Sequence, residues 1–292
     1  MAAPRVIVAG SLHYDIAVEG TDWPKKGETA VGRAWFPKLG GKGRNQAVAA
    51  KKAGAGVELI GRIGRDDFGR ELLADLNRRG IGTGFLSHSE SKGSGMSVAL
   101  FDPTGDYRAV IVSGSNLELA DAPLPGRDFF AGAGVLVLQN EVPEAANLRL
   151  ATAARAAGLT VILNAAPYRP LSLAMEAATD LLVVNAVEAA ALAGGDEPET
   201  LEAAEAAARA LAGRFRGVIV TAGAAGAVTV ADSAVIAVPA KRVAVVNTHG
   251  AGDAFVGALA TGLAGGAALS DALEAATGAA ARLISTPEDQ RD

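Results

Sequence analysis

The sequence contains no cysteine among its 292 residues. Disulfide bonds, thiol catalysis and zinc sites built from thiolates are therefore excluded. Aromatic residues are scarce, at 4%, and the formal net charge of −5 is spread without any run of five like charges. Nothing in this charge pattern favours nucleic acid or an anionic membrane as a partner, so any anionic ligand needs a local site.

Long hydrophobic runs are also missing. No stretch approaches the roughly 18 apolar residues that a membrane span requires. The first residues, MAAPRVIVAGSL, lack the long apolar region of a signal peptide. We therefore expect a cytoplasmic protein with no membrane partner. Half of the residues are hydrophobic, which is typical of a globular protein with a substantial core.

Short apolar runs alternate with amphipathic segments along most of the chain. The apolar runs are continuous, which is typical of strands in a parallel sheet that is covered on both faces. This order predicts an α/β fold, with a doubly wound and mostly parallel central sheet flanked by helices. The predicted strands are residues 5–10, 57–64, 134–139, 160–165, 180–185 and 217–223.

Two segments, residues 11–38 and 86–114, interrupt this pattern with extended and partly alternating stretches. Within the second segment, the letters DPTGD at 102–106 are typical of a hairpin turn. We therefore expect a single domain over residues 1–292, in which the two segments form a small inserted β-sheet that acts as a lid.

The stretch NTHGAGDAF begins at Asn247 and joins a predicted strand to a predicted helix through glycines. Gly250 and Gly252 would let an anion approach the backbone amides at the start of the helix. A carboxylate at Asp253 suits a transferring phosphoryl group, because that reaction needs amides to stabilise charge and a base to accept the hydroxyl proton. A tight strand-to-helix turn without a ligand is the alternative.

The stretch LGGKGRNQA begins at Leu39 and also leads through glycines into a predicted helix. It matches neither the Walker A loop nor the dinucleotide fingerprint G-x-G-x-x-G. Its glycines, Gly41 among them, would let a small polar ligand lie against the backbone, with Asn45 hydrogen-bonded to hydroxyl groups. Lys42 is a candidate phosphate contact, or else a solvated surface lysine.

Taken together, the two stretches resemble the two signatures of the ribokinase family, also called the PfkB carbohydrate kinases. Members carry a GGKGxNQA-type segment in the first third of the chain and a DTxGAGD-type segment near its end. This sequence has GGKGRNQA and NTHGAGD in the same order. Further stretches extend the resemblance over nearly the whole chain, including GSLHYD, GRIGRDDFG, SGSN and QNEVP. The resemblance implies a ribokinase-like fold.

The resemblance also implies a role for each matching residue. Asp253 would be the catalytic base, and Gly250, Ala251 and Gly252 would surround the transferred phosphoryl group. The positions that match sugar-binding residues are His13, Asp15, Gly41, Lys42, Asn45 and Glu141. The positions that match the surroundings of ATP are Asn185, Thr221, Gly223, Gly226 and Thr277, with Glu188 as an indirect contact to Mg²⁺ through water.

Some of these residues have a purely structural alternative. Asn185 and Thr221 would also suit helix caps at strand ends. Glu188 would suit the first turn of a helix, where the helix dipole favours a carboxylate, and Glu141 would serve only to hold its loop. Mg²⁺ is expected with ATP because the phosphates carry more charge than backbone amides offset, and this ion keeps several of its waters.

The sequence departs from the family pattern at positions that bear on specificity and on K⁺. His13 stands where ribokinases commonly have an asparagine that contacts the sugar, and imidazole offers different hydrogen bonds. Thr277 lies where many relatives have an asparagine near the adenine. Asn247 replaces the usual aspartate, and the tail from Ser285 lacks the glycine-containing segment that completes the cation site of potassium-activated relatives. The resemblance alone would suggest K⁺ as a cofactor, and these departures argue against it.

These observations predict an ATP-dependent sugar kinase that transfers the γ-phosphoryl group to a hydroxyl of a small carbohydrate, with a ribose-like pentose as the first choice. Two alternatives stay open: a nucleoside kinase of the same fold, and a non-catalytic sugar-binding regulator. The intact GAGD argues against the regulator, and GGKGRNQ favours a free sugar. Relatives often pair through their lid sheets, so we expect a homodimer, which an exposed sheet edge would favour.

Overall fold

A large and a small β-sheet, together with helices, make up the computed structural model, which describes residues 3–20, 23–102, 106–287 and 290–291. The strands are β1 (Arg5–Ala9), β2 (His13–Glu19), β3 (Ala34–Gly40), β4 (Gly56–Ile63), β5 (Gly82–His88), β6 (Gly95–Phe101), β7 (Tyr107–Val112), β8 (Val135–Gln139), β9 (Thr160–Asn164), β10 (Leu181–Asn185), β11 (Gly217–Thr221), β12 (Gly226–Ala231) and β13 (Ala234–Pro239). The helices are α1 (Lys42–Lys52), α2 (Asp67–Arg78), α3 (Arg127–Phe130), α4 (Glu144–Ala156), α5 (Leu173–Ala178), α6 (Ala186–Ala193), α7 (Leu201–Leu211), α8 (Ala251–Ala264) and α9 (Leu269–Ser285), with a 3-10 helix at Gly114–Asp121. None of these described helices combines the length and the hydropathy that a membrane crossing needs.

The strands of the large sheet follow the order β13-β12-β11-β10-β9-β8-β1-β4-β5. All the pairings described for this sheet are parallel except those of β12, which runs antiparallel to both neighbours. The six strands predicted from apolar runs are confirmed, with ends that lie within two residues of the predicted ones. The α/β fold class with a mostly parallel sheet is likewise confirmed.

Two apolar cores lie on opposite faces of the large sheet. On β1, Ile7 and Ala9 belong to one core, whereas Val6 and Val8 belong to the other, and all four side chains are fully buried. Because successive residues of a strand point to opposite faces, a sheet that is covered on both sides needs apolar residues at every position. This packing explains the continuous apolar runs of the sequence.

The chain changes direction across the sheet beside β1. From β1 it proceeds to β4 and β5 on one side, and then it returns to build β8 and the later strands on the other side. In open α/β sheets, ligands bind in the crevice outside the carboxyl ends of the strands at such a switch point. The crevice here lies beyond Ala9 and Gln139, where β1 and β8 end.

Close packing of α1 against α8 brings the two glycine-rich stretches together. A Cβ on Gly257 of α8 would lie 2.5 Å from the Cβ of Ala49 and 2.6 Å from the amide nitrogen of Ala50 on α1, so only glycine allows this approach. The hydroxyl of Thr261 donates to the carbonyl oxygen of Ala50, at 3.2 Å, one turn further along α8. Since both helices begin at a glycine-rich loop, the two loops open into the same crevice.

The small sheet has the strand order β3-β2-β6-β7, with β2 and β6 parallel and the outer pairs antiparallel. It is built from the two segments that the sequence assigned to a lid, but its limits differ. Residues 86–88 belong to β5, which pairs with β4 in the large sheet, so the second segment contributes only β6 and β7. Of the hairpin turn predicted at 102–106, residues 103–105 lie outside the described residues.

Candidate active site

The carboxylate of Asp253 lies at the point where α1 and α8 meet. Its Oδ1 accepts a hydrogen bond from Nε2 of Gln46 at 2.9 Å, and its Oδ2 accepts one from Nδ2 of Asn45 at 3.2 Å. The side-chain nitrogen of Gln46 also donates to Oδ1 of Asn164, at 3.0 Å, at the end of β9. Asp253 is only 8% exposed, so its carboxylate is held in a fixed orientation at the bottom of the crevice.

Burial and the positive charge of Lys42 shift the pKa of Asp253 in opposite directions. Burial raises the pKa of its carboxyl group, whereas the positive charge of Lys42 and the amide donors of Gln46 and Asn45 lower it. Burial likewise raises the pKa of Glu188, on which the charge of Lys42 has the opposite effect. Lys42 therefore acts electrostatically on both carboxyl groups, which favours their ionised forms.

The loop before Asp253 combines two glycines that are needed for different reasons. Gly250 precedes α8 with φ +80°, a backbone conformation that favours glycine. Gly252 has no such φ, and apart from its chain neighbours and the nearby backbone of α8 itself, no described heavy atom lies within 4 Å of the position that its Cβ would take. The amides of Gly252 and Asp253 lie in the first turn of α8, where N–H groups lack an acceptor within the helix. The fold requires glycine at 250, whereas the open space at 252 suits a ligand.

Glu141 lies at the switch point between β1 and β8. Its Oε2 accepts hydrogen bonds from Oγ of Ser11 at 2.5 Å and from the backbone amide of Lys42 at 2.8 Å. The carboxylate therefore joins the loops that follow β8 and β1 to the first residue of α1. These contacts agree with the structural alternative for Glu141, and its proposed contact with a sugar stays a prediction.

The glycines of the stretch LGGKGRNQA lie against protein backbone rather than open space. A Cβ on Gly41 would lie 2.7 Å from the carbonyl oxygen of Ser11, and Gly41 has φ +89°. A Cβ on Gly43 would lie 2.6 Å from the amide nitrogen of Ser11. The interpretation that these glycines make room for a ligand is therefore incomplete, because they first allow the start of α1 to press against the loop after β1.

Two of the predicted sugar contacts lie on β2 of the small sheet. Oδ1 of Asp15 accepts a hydrogen bond from Oγ of Ser97 on β6, at 2.5 Å. His13 is 5% exposed, and its Nε2 is buried without a hydrogen-bond partner in the described chain. A buried nitrogen in this condition is rare in native proteins, and a ligand is one way to satisfy it.

Asn185 and Glu188 form a capping box at the start of α6. Oδ1 of Asn185 accepts from the amide of Glu188 at 2.8 Å, and Oε2 of Glu188 accepts from the amide of Asn185 at 2.9 Å. The cap proposed as an alternative for Asn185 is therefore present. Among the described residues, no group of three or more His, Cys, Asp or Glu side chains could hold a metal ion. The site fits Mg²⁺ that is held mainly by phosphate oxygens and water, with carboxylates nearby as suitable oxygen donors.

The remaining predicted ATP contacts lie around the carboxyl end of β11 and on α9. Thr221 ends β11 and leads into a turn before β12, so it is not a helix cap. A Cβ on Gly226 would lie 2.2 Å from the carbonyl oxygen of Val238, whereas a Cβ on Gly223 would meet nothing within 4 Å. The hydroxyl of Thr277 donates to the carbonyl of Leu273 within α9. Gly226 thus has a clear structural role, Gly223 leaves open space, and their roles toward ATP stay predictions.

Sequence reasoning missed three residues that organise this site. Gln46 and Asn164 form the chain of hydrogen bonds to Asp253, and Ser11 links Glu141 to the loop after β1. Gln46 stands within the stretch GGKGRNQA, Ser11 directly follows the predicted strand 5–10, and Asn164 is the last residue of β9. Polar residues at or just beyond the carboxyl ends of buried strands are therefore the signal that would have found Ser11 and Asn164.

A buried carboxylate beside an open glycine loop, above the carboxyl ends of parallel strands, provides what phosphoryl transfer to a hydroxyl requires. These features place the protein among the α/β phosphotransferases that use an alcohol as acceptor. The chain belongs to the pfkB family of carbohydrate kinases, whose family model matches residues 3–292.

Individual relatives agree with this assignment. Ribokinase from Mus musculus is 33% identical over 266 residues, which cover 90% of this chain and 82% of the mouse protein. Ribokinase from Schizosaccharomyces pombe is 34% identical over 282 residues, which cover 92% of this chain and 88% of the yeast protein. The solved structure of Arabidopsis thaliana ribokinase complexed with ribose and ATP superposes with a TM-score of 0.89 and 28% identity, over 98% of this chain and 94% of that one. The fold and the carbohydrate kinase activity are thereby established.

Proposed function

We propose that this kinase transfers the γ-phosphoryl group of ATP to a hydroxyl of a free pentose, with ribose as the first choice. The observation that carries the proposal is the position of Asp253 beside the open glycine loop of NTHGAGDAF. Asn45 and Gln46, from the stretch LGGKGRNQA, hold its carboxylate there. The relatives named ribokinase support the choice of sugar. A cytoplasmic location stays a prediction from the sequence.

In this proposal, Asp253 orients the sugar hydroxyl and accepts its proton. The hydroxyl oxygen forms a bond to the γ-phosphorus, the bond from that phosphorus to the bridging oxygen of ADP breaks, and the proton passes to the carboxylate. The amides at Gly252 and Asp253 donate to the phosphoryl oxygens as charge moves onto them. When bound, Mg²⁺ offsets phosphate charge, and we propose that Glu188 contacts it through water.

Sugar recognition is proposed to involve both the small sheet and α1. Asp15 offers carboxylate oxygens that accept hydrogen bonds from hydroxyl groups, and Asn45 offers both a donor and an acceptor. His13 would satisfy its buried Nε2 with a sugar hydroxyl, which avoids the free-energy penalty of an unpaired polar atom. This arrangement favours a ligand with several adjacent hydroxyls.

The direct test is ADP release from the purified protein with Mg-ATP and a panel of pentoses, 2-deoxypentoses, hexoses, sugar acids and nucleosides. We expect a pentose, ribose first, to give the highest kcat/KM. Higher kcat/KM with a nucleoside would replace the proposal by a nucleoside kinase. Thermal stabilisation by a sugar, without ADP release from any compound, would instead support a sugar-binding regulator.

We further propose that the small sheet acts as a lid and pairs with its copy in a homodimer. On β3 and β7, the side chains of Trp35, Val110 and Val112 are apolar, and each is more than half exposed. The strand register aligns Trp35 with Val18 on β2, and Val110 with Val98 on β6, so these side chains occupy one face. An apolar sheet face of this kind favours association with a second copy.

For the homodimer, we expect sedimentation at twice the 29.3 kDa mass of the chain, and dissociation on the substitution Val110→Asp, because a carboxylate on this face cannot be buried without a partner. The matched substitution Val187→Asp, at an exposed valine on α6, should leave the dimer intact. A wild-type protein that stays monomeric at every concentration would refute the dimer.

A further inference from the structure

The guanidinium group of Arg291 gathers three backbone carbonyl groups. Its Nη2 donates to the carbonyl oxygen of Asn247 at 2.7 Å, its Nη1 to that of His249 at 3.0 Å, and its Nε to that of Thr286 at 2.9 Å. Two of these carbonyls belong to the loop directly before Gly250, and the third lies just beyond α9. The guanidinium group of Arg291 therefore links the residue after α9 to the loop that leads into the candidate active site.

Other contacts hold the same loop against the end of α9. The amides of Val246 and Asn247 donate to the carbonyl oxygen of Ile284, at 2.8 and 3.3 Å. Within the loop, Oδ1 of Asn247 accepts from the amide of His249 at 2.8 Å. Lys52, at the end of α1, donates to the carbonyl oxygen of Arg291 itself and so holds the arginine backbone in place. The position of Gly250 and its neighbours therefore depends on this set of contacts.

Backbone carbonyl oxygens that surround a positive charge are ligands of a monovalent cation as well as of a guanidinium group. Here the guanidinium already donates to them, and its planar set of donors reaches three carbonyls at once. Asn247 is neutral, so it adds no negative charge that would attract a second cation. The residues present therefore do not fit a dissociable K⁺ at this loop.

We propose that Arg291 is a built-in cation that positions the loop 247–250, so that the enzyme works without K⁺. The side chain acts as a positioning residue, because it contacts the backbone that precedes the glycine loop and not the reacting groups. This inference rests on the proposed kinase function of the site. It predicts that K⁺ becomes relevant only when the guanidinium is removed.

The test compares wild type and Arg291→Ala in KCl and in tetramethylammonium chloride at equal ionic strength. We expect the wild type to have the same kcat in both salts. Without K⁺, Arg291→Ala should lose about 10- to 100-fold in kcat because the glycine loop is misplaced, and KCl should restore it. KM for the sugar should change little, and Arg291→Lys should keep more activity than Arg291→Ala in the absence of K⁺.

A second measurement does not depend on turnover. KCl should raise the Tm of Arg291→Ala above its value in tetramethylammonium chloride, and it should leave the Tm of the wild type unchanged. Arg216→Ala, at an exposed arginine just before β11, is the control and should resemble the wild type. Strong stimulation of the wild type by K⁺, or full activity of Arg291→Ala without K⁺, would overturn the inference. If the wild type phosphorylates no sugar, the proposed function fails, and the salt dependence of Tm still decides the role of Arg291.

Discussion

Asp253→Asn is expected to lower kcat by about 10²- to 10⁴-fold, the range that a positioned general base contributes. The amide has nearly the shape of the carboxylate but cannot accept the hydroxyl proton. KM for the sugar should change much less, because the proposed sugar contacts on the small sheet, His13 and Asp15, are untouched. The measurement is ADP release under saturating Mg-ATP, and a kcat close to that of the wild type would exclude Asp253 as the base.

The pH profile separates a lost base from a damaged fold. Burial raises the pKa of Asp253, and the base works only when it is ionised, so kcat/KM should fall as the pH drops through this raised pKa. That acid limb should be absent from the residual activity of Asp253→Asn. If it persists unchanged, another group controls the profile.

Stability gives an independent control on the same variant. A carboxyl group whose pKa is raised by folding loses its stabilising proton as the pH rises, so ionised Asp253 destabilises the folded state at neutral pH. Asp253→Asn removes this charge but keeps only one acceptor for the two hydrogen bonds from Asn45 and Gln46, so its Tm should stay close to that of the wild type. Asp180→Asn is the matched control, because Asp180 accepts a hydrogen bond from the amide of Val161 at the opposite end of the strands and should not affect kcat.

Much of the fold was predictable because its central strands are buried on both faces. Continuous apolar runs such as residues 134–139 mark such strands with ends close to the observed ones. The fold-family resemblance rests on the two glycine-rich stretches. The limits of the small sheet were less accurate, because β5 is partly exposed and reads like the neighbouring extended segments. Strand partners decide to which sheet a segment belongs, and single-sequence patterns carry little information about them.

The site was predictable where one short stretch carries both the backbone geometry and the side chain. Gly250 and Asp253 belong to this class, and so does the capping box of Asn185 and Glu188, whose spacing is a helix-start signature. The contact of Gln46 with Asp253 was not predictable from the sequence, because it depends on the close packing of α1 and α8 at Gly257. Arg291 lies outside both stretches, and only the folded chain brings it to the loop 247–250.

Gly252→Ala is expected to leave the protein folded and to impair phosphoryl transfer. The position lies in the first turn of α8, has no left-handed φ, and offers open space to a Cβ. Alanine in a helix is more favourable than glycine by about 0.5–1 kcal/mol, so Tm should be equal to that of the wild type or higher. Because the added methyl group would occupy the space proposed for the phosphoryl group and displace it from the amides, kcat should fall by about 10²- to 10³-fold.

Gly213→Ala makes the same chemical change where no ligand is proposed. Gly213 lies just after α7, also has no left-handed φ, and a Cβ there would meet nothing within 4 Å. The control should therefore keep the kcat of the wild type. Unchanged kcat in Gly252→Ala would mean that the phosphoryl group does not approach this glycine, whereas a lower Tm would mean that the space at 252 is needed by the fold itself. A stable variant with low kcat is the one result that assigns the glycine to the ligand, because a structural role for Gly252 would appear in Tm before it appeared in turnover.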